Sequence, residues 1–537
     1  MPLERKYNSI FFAGILFFCF LISVGVRYQQ FETWKQTPAA YFVGERPMMT
    51  TLDAPYWLRW AREINEGTFG QKGALGQYPR HTETFRDGSL PHKFRDQPNI
   101  STHSTSSSKS SPTKIPVINF LKGPLISSII AILAPFFNYN YYLTGTLLIP
   151  VLASLFILPL GVYFFQIGSP VSGLLGGLIG TFSGAYYMRS SIGRIDTDML
   201  NLFFPILAAL FILLASGAKK ERYVLLYSAI AGLSLFMFNW WYPKPAFALA
   251  YFVVLILSLF INKIRLRTIL LSSLLLLLCS QPFTFMMGTD SLDSQLSRYF
   301  VIDDSTTNNI KNKISTPANF PNTMTTISEV DHVPMSEVLK RVLSNTTLTW
   351  MGLVVFFGLT VFKWRVLLPL TPMLALGLFS FMSSNRFIMF FAPFIGIGLG
   401  WLFQLVVEMF FYVLRHGLKD ALKTHNTAKK TKHGSKDVEE IVQGLKTTGS
   451  LWAKLFALFS MDPYVNGNTN KGTINAKSNQ QITAKEGSKN IYYKDTEVDW
   501  WNWGRQGVLY LGMGVSFWLI SGQTAISYVP GPSIHTG

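Results

Sequence analysis

Four carboxylates and two arginines are the residues of this chain best placed to do chemistry. Asp53 stands in Thr51-Leu52-Asp53-Ala54-Pro55-Tyr56-Trp57, ahead of a helical pattern through Arg59, Arg62 and Glu63. Asp196 and Asp198 stand in Arg194-Ile195-Asp196-Thr197-Asp198-Met199, and Glu329 in Thr326-Ile327-Ser328-Glu329-Val330. In a short turn, two carboxylates one residue apart can face the same way. Hard cations such as Mg2+ or Mn2+ are held like this, through carboxylate oxygens and retained waters. Arg189, ahead of the Asp pair, and Arg386, in Ser383-Ser384-Asn385-Arg386-Phe387, can each clamp an anionic phosphate through two N–H donors. Each residue also has an ordinary reading. Asp53 and Asp198 could be helix N-caps, with Arg59 and Glu63 at pairing distance. Arg189 or Arg194 could pair with either acid of the Asp pair, Glu329 could be a solvated loop acid, and Arg189 or Arg386 could reach lipid headgroups.

The elements that must position these groups are apolar blocks. Hydrophobic residues make up 49% of the 537 and charged residues only 14%, well below the roughly 25% charged fraction of soluble domains. The apolar content arrives in blocks of about 20 residues, the length that crosses a hydrocarbon core. Eleven such blocks are read: Ser9–Val26, Tyr141–Phe165, Val171–Tyr186, Leu200–Gly217, Tyr223–Asn239, Ala246–Ile261, Thr268–Phe285, Thr347–Phe362, Val366–Phe381, Phe387–Val413 and Val508–Val529. Val117–Phe137 is a weaker block, interrupted by Lys122, Gly123 and Pro124, and reads as re-entrant or interfacial. The first block follows Arg5 and Lys6 with no small-residue cleavage site behind it, so it reads as a retained helix. Cys19 and Cys279 lie within blocks and read as small buried hydrophobes.

The net charge of +18 does not mark a nucleic-acid binder, because the basic residues flank apolar blocks or fill one Lys-rich stretch and no binding motif accompanies them. With a cytoplasmic N-terminus, the loops carrying Lys219, Lys220 and Arg222, then Lys263, Arg265 and Arg267, then Lys363 and Arg365 all fall inside. Residues 1–413 then form a transmembrane region with external loops at 28–140 and 287–346. Residues 414–507 form a Lys-rich cytoplasmic loop, and 508–537 the last span with its external tail. Within the first external loop, Ser101 to Ser111 is a Ser-rich low-complexity insert. All four carboxylates fall on the external side, beside the bilayer, where ionisable groups are functional candidates by default.

At these residues the chain resembles the catalytic subunits of oligosaccharyltransferases, PglB-like in bacteria. The likeness rests on an early Asp before a Trp/Arg-rich helix and on Tyr186-Tyr187-Met188-Arg189 leading into Gly193-Arg194-Ile195-Asp196-Thr197-Asp198-Met199-Leu200. It continues with a Thr-Ile-x-Glu string and with Asn385-Arg386-Phe387 before a Pro-containing span. The Asp-x-Asp form is closer to the bacterial members than to archaeal ones with a His in the pair. The resemblance implies a GT-C-type architecture with about 11–13 transmembrane helices. It implies a polyprenyl-diphosphate-linked oligosaccharide as donor and an acceptor polypeptide carrying Asn-x-Ser/Thr. It implies that Asp53, Asp196, Asp198 and Glu329 hold or surround one Mg2+ or Mn2+, a Lewis acid for the leaving diphosphate. Asp53 and Glu329 would hydrogen-bond the two hydrogens of the acceptor amide, while Arg189, Arg386 and Thr326 would touch substrate. The same resemblance places the site on the external, periplasmic face of a bacterial cytoplasmic membrane.

The family normally continues into an external soluble domain opening with Trp-Trp-Asp-Tyr-Gly, which reads the acceptor sequence. This chain ends about eight residues after its last apolar block. Its near-match, Trp500-Trp501-Asn502-Trp503-Gly504, precedes that block and reads as an interfacial aromatic belt. The expectation is a chain without that domain, which is truncated, inactive or completed by a second polypeptide. Two other classes share a polytopic plan: a protein mannosyltransferase or lipid A aminosugar transferase, and a transporter, for which Glu408 is the main intramembrane candidate.

Overall fold

A computed structural model of the protein describes residues 8–69, 123–243, 245–280, 334–382, 385–430 and 500–531. The order of its longer helices is α1 (Ser9–Gln36), α2 (Ala54–Asn65), α3 (Leu125–Leu133), α4 (Tyr141–Ser154), α5 (Ile157–Gln166), α6 (Pro170–Phe182), α7 (Phe203–Gly217) and α8 (Glu221–Trp241). There follow α9 (Pro245–Ile261), α10 (Leu266–Ser280), α11 (Met335–Val342), α12 (Thr346–Leu367), α13 (Thr371–Leu378), α14 (Ile388–Lys430) and α15 (Trp500–Ser521). One small antiparallel hairpin, β1 (Phe42–Val43) with β2 (Arg46–Pro47), is the described sheet. Helices dominate because hydrocarbon offers no partner to backbone N–H and C=O groups, so apolar segments satisfy them internally.

Six described helical stretches are long and apolar enough to cross a membrane: Ser9–Gln36, Tyr141–Gln166, Thr197–Gly217, Glu221–Trp241, Thr346–Phe381 and Asn385–Leu414. Leu125–Phe137, Pro170–Phe182, Ala246–Ile261 and Leu266–Ser280 are apolar but shorter. The polytopic all-α expectation therefore holds, while several boundaries move. α1 runs ten residues past Val26. The stretch Thr346–Phe381 breaks where the two blocks on either side of Lys363 are read to meet, through non-helical backbone at Lys363 and the 3-10 turn Leu368–Leu370. The described residues of the interrupted block at 117–137 form the nine-residue α3 and a 3-10 turn, at 1.5 Å per residue shorter than the about 30 Å of a hydrocarbon core.

By packing, the chain divides into two compact units. One comprises Met1–Glu32, Pro150–Ser191 and Asp198–Pro530, the other Thr33–Ile149, Ile192–Thr197 and Gly531–Gly537. In the first, α14 packs chiefly on α6 and α12. Gly180 lies against Pro393, Gly176 against Ile397 and Gly400 against Ser172, so α6 and α14 run antiparallel. Gly352 beside Ile395, Phe356 beside Phe394 and Phe362 beside Trp401 make α12 and α14 parallel. The segment between them must therefore double back, which is the work of the break at Lys363, whose Nζ donates to Ile167 O at 2.9 Å. α15 runs parallel to α1: Asn8 N donates to Gln506 Oε1, and Gln30 Nε2 to Tyr528 O. Trp500 to Gly504 form the first turn of α15, with Trp503 beside Phe11.

Glycine is what lets these helices approach, as small residues do where helices pack in lipid. Gly396 and Gly400 face α6, and Gly398 faces α12, where an added Cβ would strike the Gly352 carbonyl. Backbone cannot rotate aside, so Gly398→Ala is expected to cost about 1–3 kcal/mol or more. A lowered unfolding temperature of the detergent-solubilised protein would report it, and an unchanged one would refute the contact.

In the second unit, α3 lies on α2. Ser127 Oγ donates to Trp57 O at 2.8 Å and Asn65 Nδ2 to Ala131 O at 3.0 Å. Ala54, Leu58, Ala61 and Ile64 form the buried stripe of α2 at helical spacing.

Candidate functional site

The second unit builds the surroundings of Asp53 and Asp196. Trp34, fully buried, stacks on Tyr41, and the β1–β2 hairpin closes with Met48 N donating to Tyr41 O. The next link joins two distant segments: Thr50 N donates to Gly193 O at 3.0 Å. Gly193 sits at φ +79° with Trp34 and the Met48 carbonyl against its Cα, so a side chain there would be both strained and obstructed. Three residues on from this bond lie Asp53 on one strand and Asp196 on the other. The segments bearing the two carboxylates are thus tied side by side.

Asp53 stands at the N-cap position of α2, but its side chain makes no capping bond. It is exposed. The capping reading therefore has the position right and the chemistry unused. Arg59 and Glu63 do pair, at 2.7 Å. Tyr56, which meets Trp57 edge-on and Trp60 at a tilt, has its hydroxyl pushed above its ordinary pKa by desolvation. Asp196 is nearly buried and turns Oδ1 back to Thr197 N at 2.6 Å, with Arg194 at 3.9 Å.

Asp198 belongs to the first unit and is fully buried. It lies inside the 3-10 turn Thr197–Leu200 rather than capping a helix. Arg189 Nη1 donates to its Oδ2 at 2.9 Å, and Arg386 Nη2 to its Oδ1 at 3.1 Å. Asn201 Nδ2 also donates to Oδ1, at 3.0 Å. A buried carboxylate is tolerable only when paired and hydrogen-bonded, and two guanidiniums supply that here. The two arginines read as phosphate ligands thus converge on one acid. Arg386 also lies over the Tyr242 ring, 5.4 Å from its centroid. Glu329 and Thr326 lie outside the described residues. Among the described residues, no three His, Cys, Asp or Glu side chains are grouped to hold a metal ion.

Arg27 was not singled out by the sequence pattern, and it is the residue that fixes the turn bearing Arg189. It is fully buried. Nε donates to Ser190 O, Nη1 to Ser23 Oγ and Thr181 Oγ1, and Nη2 to Thr181 O and Ser190 Oγ, all between 2.8 and 3.0 Å. Its guanidinium lies 4.9 Å from the Tyr187 ring centroid. The available signal was an arginine directly after an apolar run, where a buried charge demands a purpose. Tyr186, also buried, places its hydroxyl 2.7 Å from Met199 O and so supports the Asp198 turn from beneath.

Residues 120–418 match the family model described as oligosaccharyl transferase STT3, N-terminal. The chain belongs to this family. The matched stretch contains Arg189, Asp196, Asp198, Asn201, Thr326, Glu329 and Arg386, and leaves Asp53 outside it. The helical, polytopic architecture described above is in keeping with this membership. Two proteins called undecaprenyl-diphosphooligosaccharide–protein glycotransferase, from two Campylobacter jejuni strains, are 24% identical over 302 residues, covering 47% of this chain and 39% of theirs. The chain thus spans well under half the length of these relatives. Among solved structures, the apo oligosaccharyltransferase of Archaeoglobus fulgidus is similar at 13% identity and a TM-score of 0.49, over 86% of this chain and 56% of that one. The same organism's oligosaccharyltransferase AglB, in complex with an inhibitory peptide and a dolichol-phosphate, is similar at 15% identity and a TM-score of 0.47, over 86% and 55%.

Proposed function

We propose that this STT3-family chain carries the donor-binding centre of an N-glycosylating transferase, moving an oligosaccharide from a polyprenyl diphosphate to an asparagine side chain. The observation that carries this reading is the buried Asp198 held between Arg189 and Arg386. A pair of guanidiniums converging on a buried carboxylate suits a diphosphate that must be bound and then released as an anion.

The donor chemistry of the site fits a hard cation. Its expected ligands are all carboxylate oxygens, the ligand type hard cations take. Asp53, Asp196, Asp198 and Glu329 would hold Mg2+ or Mn2+, which when bound supplies Lewis-acid stabilisation to the leaving diphosphate. Arg189 and Arg386 orient the phosphates. Asp53 and Glu329 accept hydrogen bonds from the two hydrogens of the acceptor carboxamide, which weakens conjugation of its nitrogen lone pair. The nitrogen bonds to the anomeric carbon, the bond from that carbon to the diphosphate oxygen breaks, and one amide proton passes to the carboxylate that accepts its hydrogen bond. Thr326, close before Glu329 in sequence, contacts the acceptor. The reaction takes place on the external, periplasmic face of a bacterial inner membrane.

Membranes carrying the full protein are expected to glycosylate an Asn-x-Ser/Thr peptide. EDTA should stop transfer, Mn2+ should restore it, and Glu329→Gln should slow it by about tenfold or more. Transfer indifferent to both EDTA and Glu329→Gln would remove these acids from the mechanism. Mass spectrometry of the product should find the glycan on the amide nitrogen.

A further inference from the structure

The second unit holds an open cavity of about 510 Å3. Three elements wall it. α2 presents Pro55, Leu58, Arg59 and Arg62, a run at helical spacing. The β1–β2 hairpin supplies Glu45 and Arg46, and the turn into α4 supplies residues 139–142. Leu58 seats α2 on α4, since a Cβ on Gly145 would stand 3.2 Å from Leu58 Cδ2. Arg46 ties the hairpin to α4, its guanidinium 4.2 Å from the Tyr142 ring centroid. The turn itself bends through Asn138 at φ +51° and Tyr139 at φ +58°. Two consecutive residues with a Cβ in the left-handed region are strained, and such strain gathers where a site needs a side chain held in place.

The charges of this lining are unequal: three guanidiniums meet one carboxylate, Glu45. Arg59 Nε donates to Glu63 Oε1 at 2.7 Å, and Arg62 Nε stands 3.5 Å from Glu66 Oε1. Both pairs along the helix thus use the inner nitrogen. Neither arginine makes a hydrogen bond from its Nη groups to a described residue, and Arg46 makes no ion pair among them. Exposed pairs of this kind bind weakly and give way to a better anion. A phosphate brings four oxygens to three guanidinium forks, where a carboxylate brings two. The cavity also has room beyond a phosphate, at a size usual for ligand sites of roughly 300–1,000 Å3.

We propose that this cavity binds a phosphate ester of a small polyol, with the phosphate on Arg46, Arg59 and Arg62 and the polyol beside Tyr139 and Asn140. Tyr141 opens a stretch long and apolar enough to cross a membrane. The cavity therefore stands at the end of a span, the level at which tyrosines and phospholipid headgroups gather. An anionic phospholipid headgroup is the source this position favours, and a soluble glycerol or sugar phosphate would bring the same chemistry. The site does not depend on the transfer reaction, and Asp53 is not among its lining residues.

The test uses the purified full chain in neutral detergent, with native mass spectrometry counting bound ligand and thermal unfolding as the control for folding. The probes are dioctanoyl phosphatidylglycerol, dioctanoyl phosphatidylcholine and glycerol phosphate. Wild type is expected to hold phosphatidylglycerol about tenfold or more tightly than a variant with Arg59→Gln and Arg62→Gln, and to release it as salt rises. A variant with Arg265→Gln and Arg267→Gln makes the same charge change at exposed arginines outside the cavity, and should bind as wild type does. Glycerol phosphate bound as tightly as the lipid upholds the inference with a soluble ester as its source, and weaker binding of it upholds the lipid headgroup. Equal loss in the two double variants overturns the inference, since general charge then accounts for the binding. Wild-type binding by the folded variant lacking Arg59 and Arg62, equal affinity for phosphatidylglycerol and phosphatidylcholine, or binding of none of the three probes overturns it as well.

Discussion

Arg27→Met is expected to destabilise the protein by roughly 2–4 kcal/mol, a large share of the stability of any single domain. Removal of the guanidinium strands the carbonyls of Thr181 and Ser190 in a dry interior, at about 1–3 kcal/mol each. The hydroxyls suffer less. Ser23 Oγ already lies 2.7 Å from Ser154 Oγ and 2.9 Å from Thr181 Oγ1, and Ser190 Oγ donates to Tyr186 O. Relief of the buried charge offsets part of the loss. Arg27→Lys should not rescue, because three donors on one nitrogen cannot span acceptors that the planar fork reaches from three nitrogens. Thermal unfolding in detergent measures both variants. Equal unfolding temperatures for Arg27→Met and wild type would show that these bonds are not what holds the turn.

Asp198→Asn is expected to lower glycan transfer by about 100-fold or more, in line with removal of one preorganised charge from a dry site. The substitution preserves volume but leaves Arg189 and Arg386 converging on a neutral amide. It also removes a carboxylate from the proposed cation site, so the Mn2+ concentration for half-maximal transfer should rise. Initial rates across a Mn2+ series separate these effects. Wild-type rates at every concentration would reduce Asp198 to a structural acid.

Both predictions turn on contacts that close over long stretches of chain. Arg386 reaches Asp198 from 188 positions away, and Arg27 reaches Ser190 across 163. No periodicity records such pairs. The acids and arginines themselves were legible, because charged residues are few in an apolar chain and each one beside a span invites an explanation. Their near partners were legible in part, since Arg189 pairs with Asp198 and Arg194 with Asp196 as their spacing allows, but the distant partner Arg386 was not. Arg189 and Arg386 read as phosphate ligands, and the fold brings both to one aspartate. Asp53 read as a site carboxylate with an N-cap as its ordinary alternative, and its side chain makes no capping bond.

The helices divide in the same way. Blocks of apolar residues about 20 long announce themselves by composition, since every backbone group in hydrocarbon must be satisfied within its own segment. The helical character of the chain and the order of its spans were therefore local properties. Where a helix ends or breaks depended on its neighbours. α1 continues past Val26 because Arg27 finds acceptors on α6 and on the turn after it. The stretch from Thr346 to Phe381 doubles back near Lys363, where the ammonium finds the Ile167 carbonyl. Gly396, Gly398 and Gly400 give no sign of which helix each will face until α6 and α12 are in place. Residue type and block length set what this chain could form. Only the packed helices decided which buried charge met which acceptor, because burial removes water as the alternative partner and leaves each polar group to the protein groups the fold brings to it.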